Sequence, residues 1–144
     1  MIEKIVCNHL LLAIIIRSHY KKEGIEFFTP GEFSQQLGYM NRKKGYVIEP
    51  HIHKRVERKV WYTQEVLFIR SGKVRVDFYD EKENYFNSCI LRTGDVILLA
   101  AGGHGFEILE DAEMIEVKQG PYCSDDTDKV LILNEVINQV IEPL

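Results

Sequence analysis

Two of the chain's five histidines, His51 and His53, are separated by a single residue in the segment EPHIH. Successive side chains of a β-strand alternate between its two faces, so both imidazoles would point the same way, opposite Pro50 and Ile52. Two imidazoles side by side are an arrangement that can bind a metal ion. Polar residues on the exposed face of a strand often have the same spacing, so the pair alone leaves both interpretations open.

Two later residues could complete a set of ligands. Glu65 opens the segment EVLFIRSG, and His104 has a glycine on each side, which leaves room for a close approach. Three imidazoles and one carboxylate suit divalent iron, manganese, zinc, nickel or copper. Taken singly, Glu65 reads as a solvated charge at a strand end and His104 as a loop histidine bonded to backbone. His9 and His19 have no partner motif, and we expect them to be structural.

The elements that must position these residues are predicted to be short strands. From Phe27 onward, apolar and β-branched segments, including YVIEPHIH, alternate with turn residues. The segment EVLFIRSGKVRVDFYD predicts a hairpin about Ser71 and Gly72, and HGFEIL and AEMIEVKQG predict two further strands around the turn EDA. Many short strands at close spacing predict an all-β fold, either an antiparallel sandwich or a barrel.

The run LLLAIII at Leu10–Ile16 is apolar at every position, so its periodicity does not separate a buried strand from a short helix. The strands from Phe27 onward are numerous enough to close a barrel, which would leave this run as an exposed apolar patch. We therefore predict that residues 1–26 form an N-terminal extension and the interface of a homodimer. The alternative is that the run folds back on its own barrel as an edge strand.

The last residues follow a different pattern. Apolar side chains recur at helical spacing after position 132, and Asn134 is a candidate N-cap. The tail at residues 123–144 is therefore predicted to contain a closing helix, whose apolar positions are Leu133, Val136, Ile137, Val140 and Ile141.

Composition excludes several classes of protein. A chain of 144 residues suits one domain, and 22 acidic against 18 scattered basic residues argue against a nucleic-acid partner. The longest apolar run is far shorter than the roughly 20 residues that span a bilayer, and no secretion signal is evident. Three cysteines without a CxxC pair fit reduced thiols. The predicted location is the cytoplasm, with no membrane partner.

The candidate ligands lie in segments that resemble the two motifs of the cupin superfamily. Residues Gly45 to His53, followed by Glu65 and Gly72, are similar to the first motif, in which a glycine, five residues and HxH precede a glutamate and a second glycine. Residues Gly94 to His104 are similar to the second. The resemblance implies a single-domain cupin-type antiparallel β-barrel, a double-stranded β-helix or jelly roll, over residues 27–122.

By this resemblance one divalent metal ion is bound inside the barrel, and its ligands are His51, His53, Glu65 and His104. The chain departs from the family pattern in the 11 residues between His53 and Glu65 and in the shortened second motif. Gln64 is an alternative donor beside Glu65, although strand alternation would point it to the opposite face.

Such a site implies a metal-dependent enzyme whose substrate is a small oxygen-rich metabolite, for example a sugar or a sugar derivative. An isomerase or epimerase and a dioxygenase are both compatible with the donor set. The alternatives are a non-catalytic cupin that binds a metal or small ligand, and metal-free acid–base isomerisation with His51 or His53 as the base.

Two groups of side chains could shape this site. The first would form an apolar wall, or else ordinary barrel core, and consists of Leu67, Ile69, Phe106 and Ile108. The second lies in the long segment between His53 and Glu65, where a substrate-recognising lid could sit, and consists of Arg58, Trp61 and Tyr62.

Overall fold

A computed structural model describes residues 1–122, 124 and 128–133. The described chain is all-β, as predicted, and contains no helix, so it has none long and apolar enough to cross a membrane. Its eight strands are β1 (Ile2–Cys7), β2 (Leu10–Ile16), β3 (Gly24–Phe27), β4 (Gly38–Asn41), β5 (Glu65–Tyr79), β6 (Tyr85–Arg92), β7 (Val96–Leu99) and β8 (Gly103–Lys118). The predicted helix after Asn134 lies outside the described residues.

Six strand pairings, all antiparallel, build two sheets. The main sheet has the order β1-β2-β7-β5-β6, and β8 pairs with β5 along the other edge of that strand. The strands β3 and β4 form a separate two-stranded sheet. The main sheet is strongly curled into a half-barrel, in which β5 and β8 are the two longest strands.

The predicted hairpin about Ser71 and Gly72 is wrong, because β5 continues through both residues. Gly72 has a φ of +87°, and the β5–β8 register shifts three times between Ile69 and Val74. A Cβ at Gly72 would overlap the backbone at Asp111, so the glycine permits a bulge where the two strands are closest. The turn predicted at the segment EDA is wrong as well, because β8 continues through these three residues opposite the bulge at Gly72.

The N-terminal run is an interior strand of the main sheet, so it lacks the exposed apolar patch on which the predicted interface was based, and the homodimer itself stays a prediction. The run forms β2, which lies between β1 and β7 in the main sheet, so residues 1–26 supply two strands of the half-barrel rather than an extension from it. Ala13 and Ile15 pack in the inner core, whereas Ile14 and Ile16 pack in a cluster on the outer face. Every position is apolar because both faces of the strand are covered.

The inner core lies on the concave side of the half-barrel and combines side chains from β2, β5, β6 and β7. On the convex side, residues of the segment after β2 cover the sheet, among them Tyr20, Phe28, Phe33 and Leu37.

A buried charge network ties the N-terminal strands to the start of β7. Asp95 is buried and accepts hydrogen bonds from the backbone N–H groups of Ser18 and Arg92 and from the Arg17 guanidinium. Arg17 also binds both carboxylate oxygens of Glu3, at 2.7 and 2.9 Å. The hydrogen bond from Arg17 lowers the pKa of Glu3, so the network stays ionised.

Candidate functional site

Glu65 and His104 are brought together by the curl of the sheet. In the strand register Glu65 pairs with Lys118, whereas His104 pairs with Phe78 near the far end of β5. Their side chains nevertheless meet, with 3.3 Å between His104 Nε2 and Glu65 Oε2. The contact therefore exists only because the two ends of the long β5–β8 ribbon face each other across the concave side.

The turn that leads into β8 helps to place His104. Gly102 has a φ of +69°, and a Cβ there would lie 2.5 Å from the carbonyl oxygen of Tyr79 and 2.7 Å from Leu12 Cδ2. Only glycine fits this close approach between the turn and the adjacent strands. His104 lies two residues after Gly102. Its side chain is 27% exposed and contacts the buried Glu65 carboxylate.

Lys118 adds a positive charge on the other side of the carboxylate. Its Nζ lies 3.4 Å from Glu65 Oε1, and the charge of Glu65 raises the pKa of Lys118. The hydrogen bond with His104 lowers the pKa of Glu65, with a further contribution from Lys118, and both outweigh the opposing effect of burial. Glu65 is thus a buried carboxylate that is ionised at neutral pH and faces two basic side chains.

These side chains line a groove of about 990 Å³ on the concave side. Trp61 and Tyr62 of the predicted lid also line it, whereas Arg58 does not. Trp61 is 88% exposed and therefore covers little of the groove in this conformation. Of the predicted apolar wall, Phe106 lines the groove, and Leu67 and Ile69 are ordinary core.

His51 and His53 lie elsewhere, in residues 42–63, which we call the arm. The two imidazoles are side by side as predicted, with ring centroids 5.1 Å apart at an interplanar angle of 81°. The strand predicted for YVIEPHIH is wrong, because the arm contains no regular secondary structure and all of its residues are exposed. A strand needs a neighbour to satisfy its backbone, and none of the described strands lies beside the arm.

The four predicted metal ligands therefore form two separate pairs within one chain. Among residues 1–122, 124 and 128–133, no three His, Cys, Asp or Glu side chains are placed to hold a metal ion. A protein metal centre commonly uses three or more side-chain ligands, so a single protomer in this conformation does not fit the ion that the cupin resemblance implies. Assignment of the four residues as ligands stays a prediction.

Gln64, the alternative donor, has a different role. It is buried on the opposite face from Glu65, and its Oε1 accepts hydrogen bonds from the backbone N–H of Gln35 and the hydroxyl of Ser34. The contacts bind the segment before β4 to the start of β5.

Lys118 is the residue at this site that sequence reasoning missed. It stands 53 positions after Glu65, and no motif links the two residues. Knowledge that β5 pairs with β8 in this register would have placed Lys118 directly opposite Glu65, but the expected hairpins assigned these segments to different neighbours.

No protein-family model, curated protein or solved structure matches this chain. Function must therefore be inferred from the side chains and their arrangement.

Proposed function

We propose that this chain is a cupin-type enzyme that binds a small oxygen-rich metabolite, such as a sugar or a sugar derivative, in the groove at Glu65 and His104. The single observation that carries the proposal is the half-buried His104 imidazole held 3.3 Å from a buried, ionised carboxylate on a groove wall. An imidazole oriented by a carboxylate is a common general acid–base arrangement.

The reaction that suits this arrangement is an isomerisation or epimerisation by proton transfer. His104 can remove a proton from the carbon next to a substrate carbonyl and return it to a neighbouring atom or to the other face. The Glu65 carboxylate stabilises the imidazolium formed in between. Lys118 Nζ is available beside the pair to bind a substrate oxygen as its negative charge develops.

Solvent-proton exchange tests this function directly. Aldoses, ketoses and keto-sugar derivatives are incubated with the protein in D₂O, and loss of the C–H signal next to the carbonyl is followed by ¹H NMR. We expect exchange with at least one compound and a loss of about 10²-fold or more in His104→Ala, the range for removal of a general base.

His19→Ala is the matched control, because His19 is exposed and lies away from the groove. Exchange that survives in His104→Ala at the rate of His19→Ala would overturn the proposed chemistry. Binding of a panel compound without exchange or turnover would favour the non-catalytic cupin instead.

A metal-dependent isomerase, epimerase or dioxygenase is the second candidate. The observation that favours it is the chemistry of the two pairs, since His51 and His53 supply two imidazoles side by side while Glu65 and His104 supply a third imidazole and a carboxylate. When bound, a divalent ion would supply Lewis-acid chemistry to a substrate oxygen. The two pairs would have to come together for this site to form.

Metal content of protein purified without a His tag tests this candidate. This second candidate predicts one divalent ion per chain, and loss of that ion in the double variant His51→Ala and His53→Ala. Full retention of metal in the double variant would contradict the ligand assignment, and absence of binding to added Mn²⁺ would leave the metal-free reaction as the better account.

A cytoplasmic location belongs to the same proposal. Cys7 and Cys89 are unpaired, and burial raises the pKa of the Cys89 thiol to about 12, which makes it unreactive.

A further inference from the structure

The arm is fastened to the body of its own chain at its two ends, where Lys43 forms an ion pair with Glu23 and Thr63 donates a hydrogen bond to Asp128. In the described part of the protein, no hydrogen bond or ion pair joins residues 44–62 to residues outside the arm. The arm nevertheless carries eight large apolar side chains that are exposed, namely Tyr46, Val47, Ile48, Ile52, Val56, Val60, Trp61 and Tyr62. Exposed apolar side chains in this number mark a surface that contacts another molecule.

The strand β8 offers an open surface of matching kind. Its 16 residues pair with β5 along one edge, and no described strand pairs with the other edge. Exposed apolar side chains lie on both of its faces, namely Phe106, Ile108, Leu109, Met114, Ile115 and Val117. A long, apolar, unpaired edge is a template for the addition of another strand.

Apolar side chains alternate along the arm with the two-residue period that a strand paired with β8 would have. Even positions of the arm are mostly apolar, for example Ile48, Ile52 and Val56, whereas His51 and His53 occupy odd positions. When a strand is added to β8, one set of alternate side chains faces the concave side with His104 and the other faces the convex side with Ile115. If His51 and His53 face the concave side, the apolar even positions of the arm face the convex side, beside the exposed convex residues of β8.

Charge favours the same pairing. The arm has seven basic and two acidic side chains, a net charge of +5. The groove beside β8 is lined by two lysines and six acidic residues, a net charge of −4, and the acidic ones are Glu65, Asp80, Glu81, Glu83, Glu116 and Asp128. Opposite net charges on two surfaces of one chain favour contact between two copies of it.

We propose that the protein is an arm-exchanged homodimer, in which the arm of each protomer adds as a strand to the free edge of β8 in its partner. Both the donor and the acceptor surface are present on every chain, so the exchange is reciprocal and closes with two-fold symmetry. A stable interface buries on the order of 1,600 Å² in total, which two arms of 22 residues can supply.

The exchange completes each groove with residues of the second chain. His51 and His53 of one protomer then face the Glu65 and His104 pair of the other, so the two separate pairs become one composite site. This consequence deepens the proposed function and rests on it, whereas the dimer itself does not.

The mass in solution tests the dimer without reference to any activity. We expect light scattering to give twice the 16.8 kDa mass of one chain at micromolar concentration.

The double variant Ile52→Asp and Val56→Asp should be monomeric and folded, because both side chains are exposed in the protomer. The matched control, Ile25→Asp with Val6→Asp, changes exposed residues outside the arm and should stay dimeric. A monomeric wild-type chain, or an arm variant that dimerises as well as the control, would overturn the proposal.

Complementation tests whether the site is shared between chains. One chain carries His51→Ala and His53→Ala, the other carries Glu65→Gln, and the two are mixed under conditions that exchange subunits. If the arms are exchanged, each mixed dimer has one intact site and one site that lacks both sets of residues. Random assortment makes about half of the dimers mixed, so Mn²⁺ binding should recover to about a quarter of wild type. If the wild-type dimer binds Mn²⁺ and the mixed variants do not recover binding, the composite site is overturned. If the dimer forms and wild type binds no Mn²⁺, the metal candidate fails while the arm exchange stands.

Discussion

The strand β2 and the arm are both rich in aliphatic, β-branched residues, yet they have opposite environments. All seven residues of β2 are apolar, and its two edges pair with β1 and β7 while both of its faces are covered. The arm alternates apolar with charged residues, and its whole length is exposed. The difference teaches that β propensity produces a strand only where an edge and a covering layer are within reach of the same chain.

The largest predicted effect is in the core around β2 and β5. Phe78 is 1% exposed and packs in the inner core, so Phe78→Ala should lower the free energy of unfolding by about 3–5 kcal/mol, the range for a large-to-small change that leaves a cavity. Urea unfolding followed by circular dichroism measures the change. A loss below about 1 kcal/mol would mean that the concave core is loosely packed.

The next effect concerns the network that fastens β2 to β7. Asp95→Ala should cost about 3 kcal/mol, because it leaves the N–H groups of Ser18 and Arg92 and the Arg17 guanidinium without their acceptor. The same urea titration measures it, with Asp80→Ala as a control at a half-buried carboxylate that accepts hydrogen bonds only within its own turn. Equal losses in the two variants would show that the buried network contributes no more than a surface turn.

A smaller effect is expected in the pH dependence of stability, through Glu65. Its pKa in the folded protein is below the ordinary value of 4.5, so the unfolded chain binds more protons just below that pH. The stabilisation from Glu65 is therefore fully present above about pH 4.5 and is lost as the pH falls through the lower folded pKa. Glu65→Gln should flatten this part of the stability profile, whereas Glu113→Gln, an exposed control, should not. Parallel profiles for wild type and Glu65→Gln would contradict the ion pairs.

The smallest effect is predicted for the arm. Trp61→Ala in the monomeric Ile52→Asp and Val56→Asp background should change the free energy of unfolding by less than about 0.5 kcal/mol, because Trp61 is 88% exposed. Urea unfolding gives the value. A loss above about 1.5 kcal/mol would show that the arm packs on its own protomer and would remove the contrast with β2.

The sequence predicts the all-β class correctly, because apolar segments separated by turn residues require little tertiary information. It fails at Gly72 and at the segment EDA, because a left-handed glycine and a polar triplet serve a bulge as well as a turn, and only the partner strand decides between them. The run at Leu10–Ile16 was ambiguous for a related reason. Both faces of β2 are buried, and the outer face is covered by the segment after β2. No local pattern in the sequence reveals how that segment packs.

The candidate site was predictable in part. His104 and Glu65 were singled out by residue type, and their contact follows from the curl of the β5–β8 ribbon. The contact between the His51 and His53 rings agrees with the prediction, although the strand from which it was argued is absent. Their separation from the other pair does not follow from the sequence, since the resemblance to the cupin motif implies that all four residues meet within one chain although 11 residues separate His53 from Glu65. Lys118 was missed because its position depends on register alone.

Calorimetric titration of the groove tests the central claim most directly, since it measures binding at Glu65 and His104 whether or not turnover follows. A panel of sugars and keto-sugar derivatives is titrated into wild type, Glu65→Gln, His104→Ala and the exposed control Glu113→Gln. We predict that at least one compound binds to wild type and to the control alike and binds about 10-fold or more weakly to both groove variants, because each loses a hydrogen bond to a charged partner. Equal affinity in all four proteins would contradict a functional centre at Glu65 and His104.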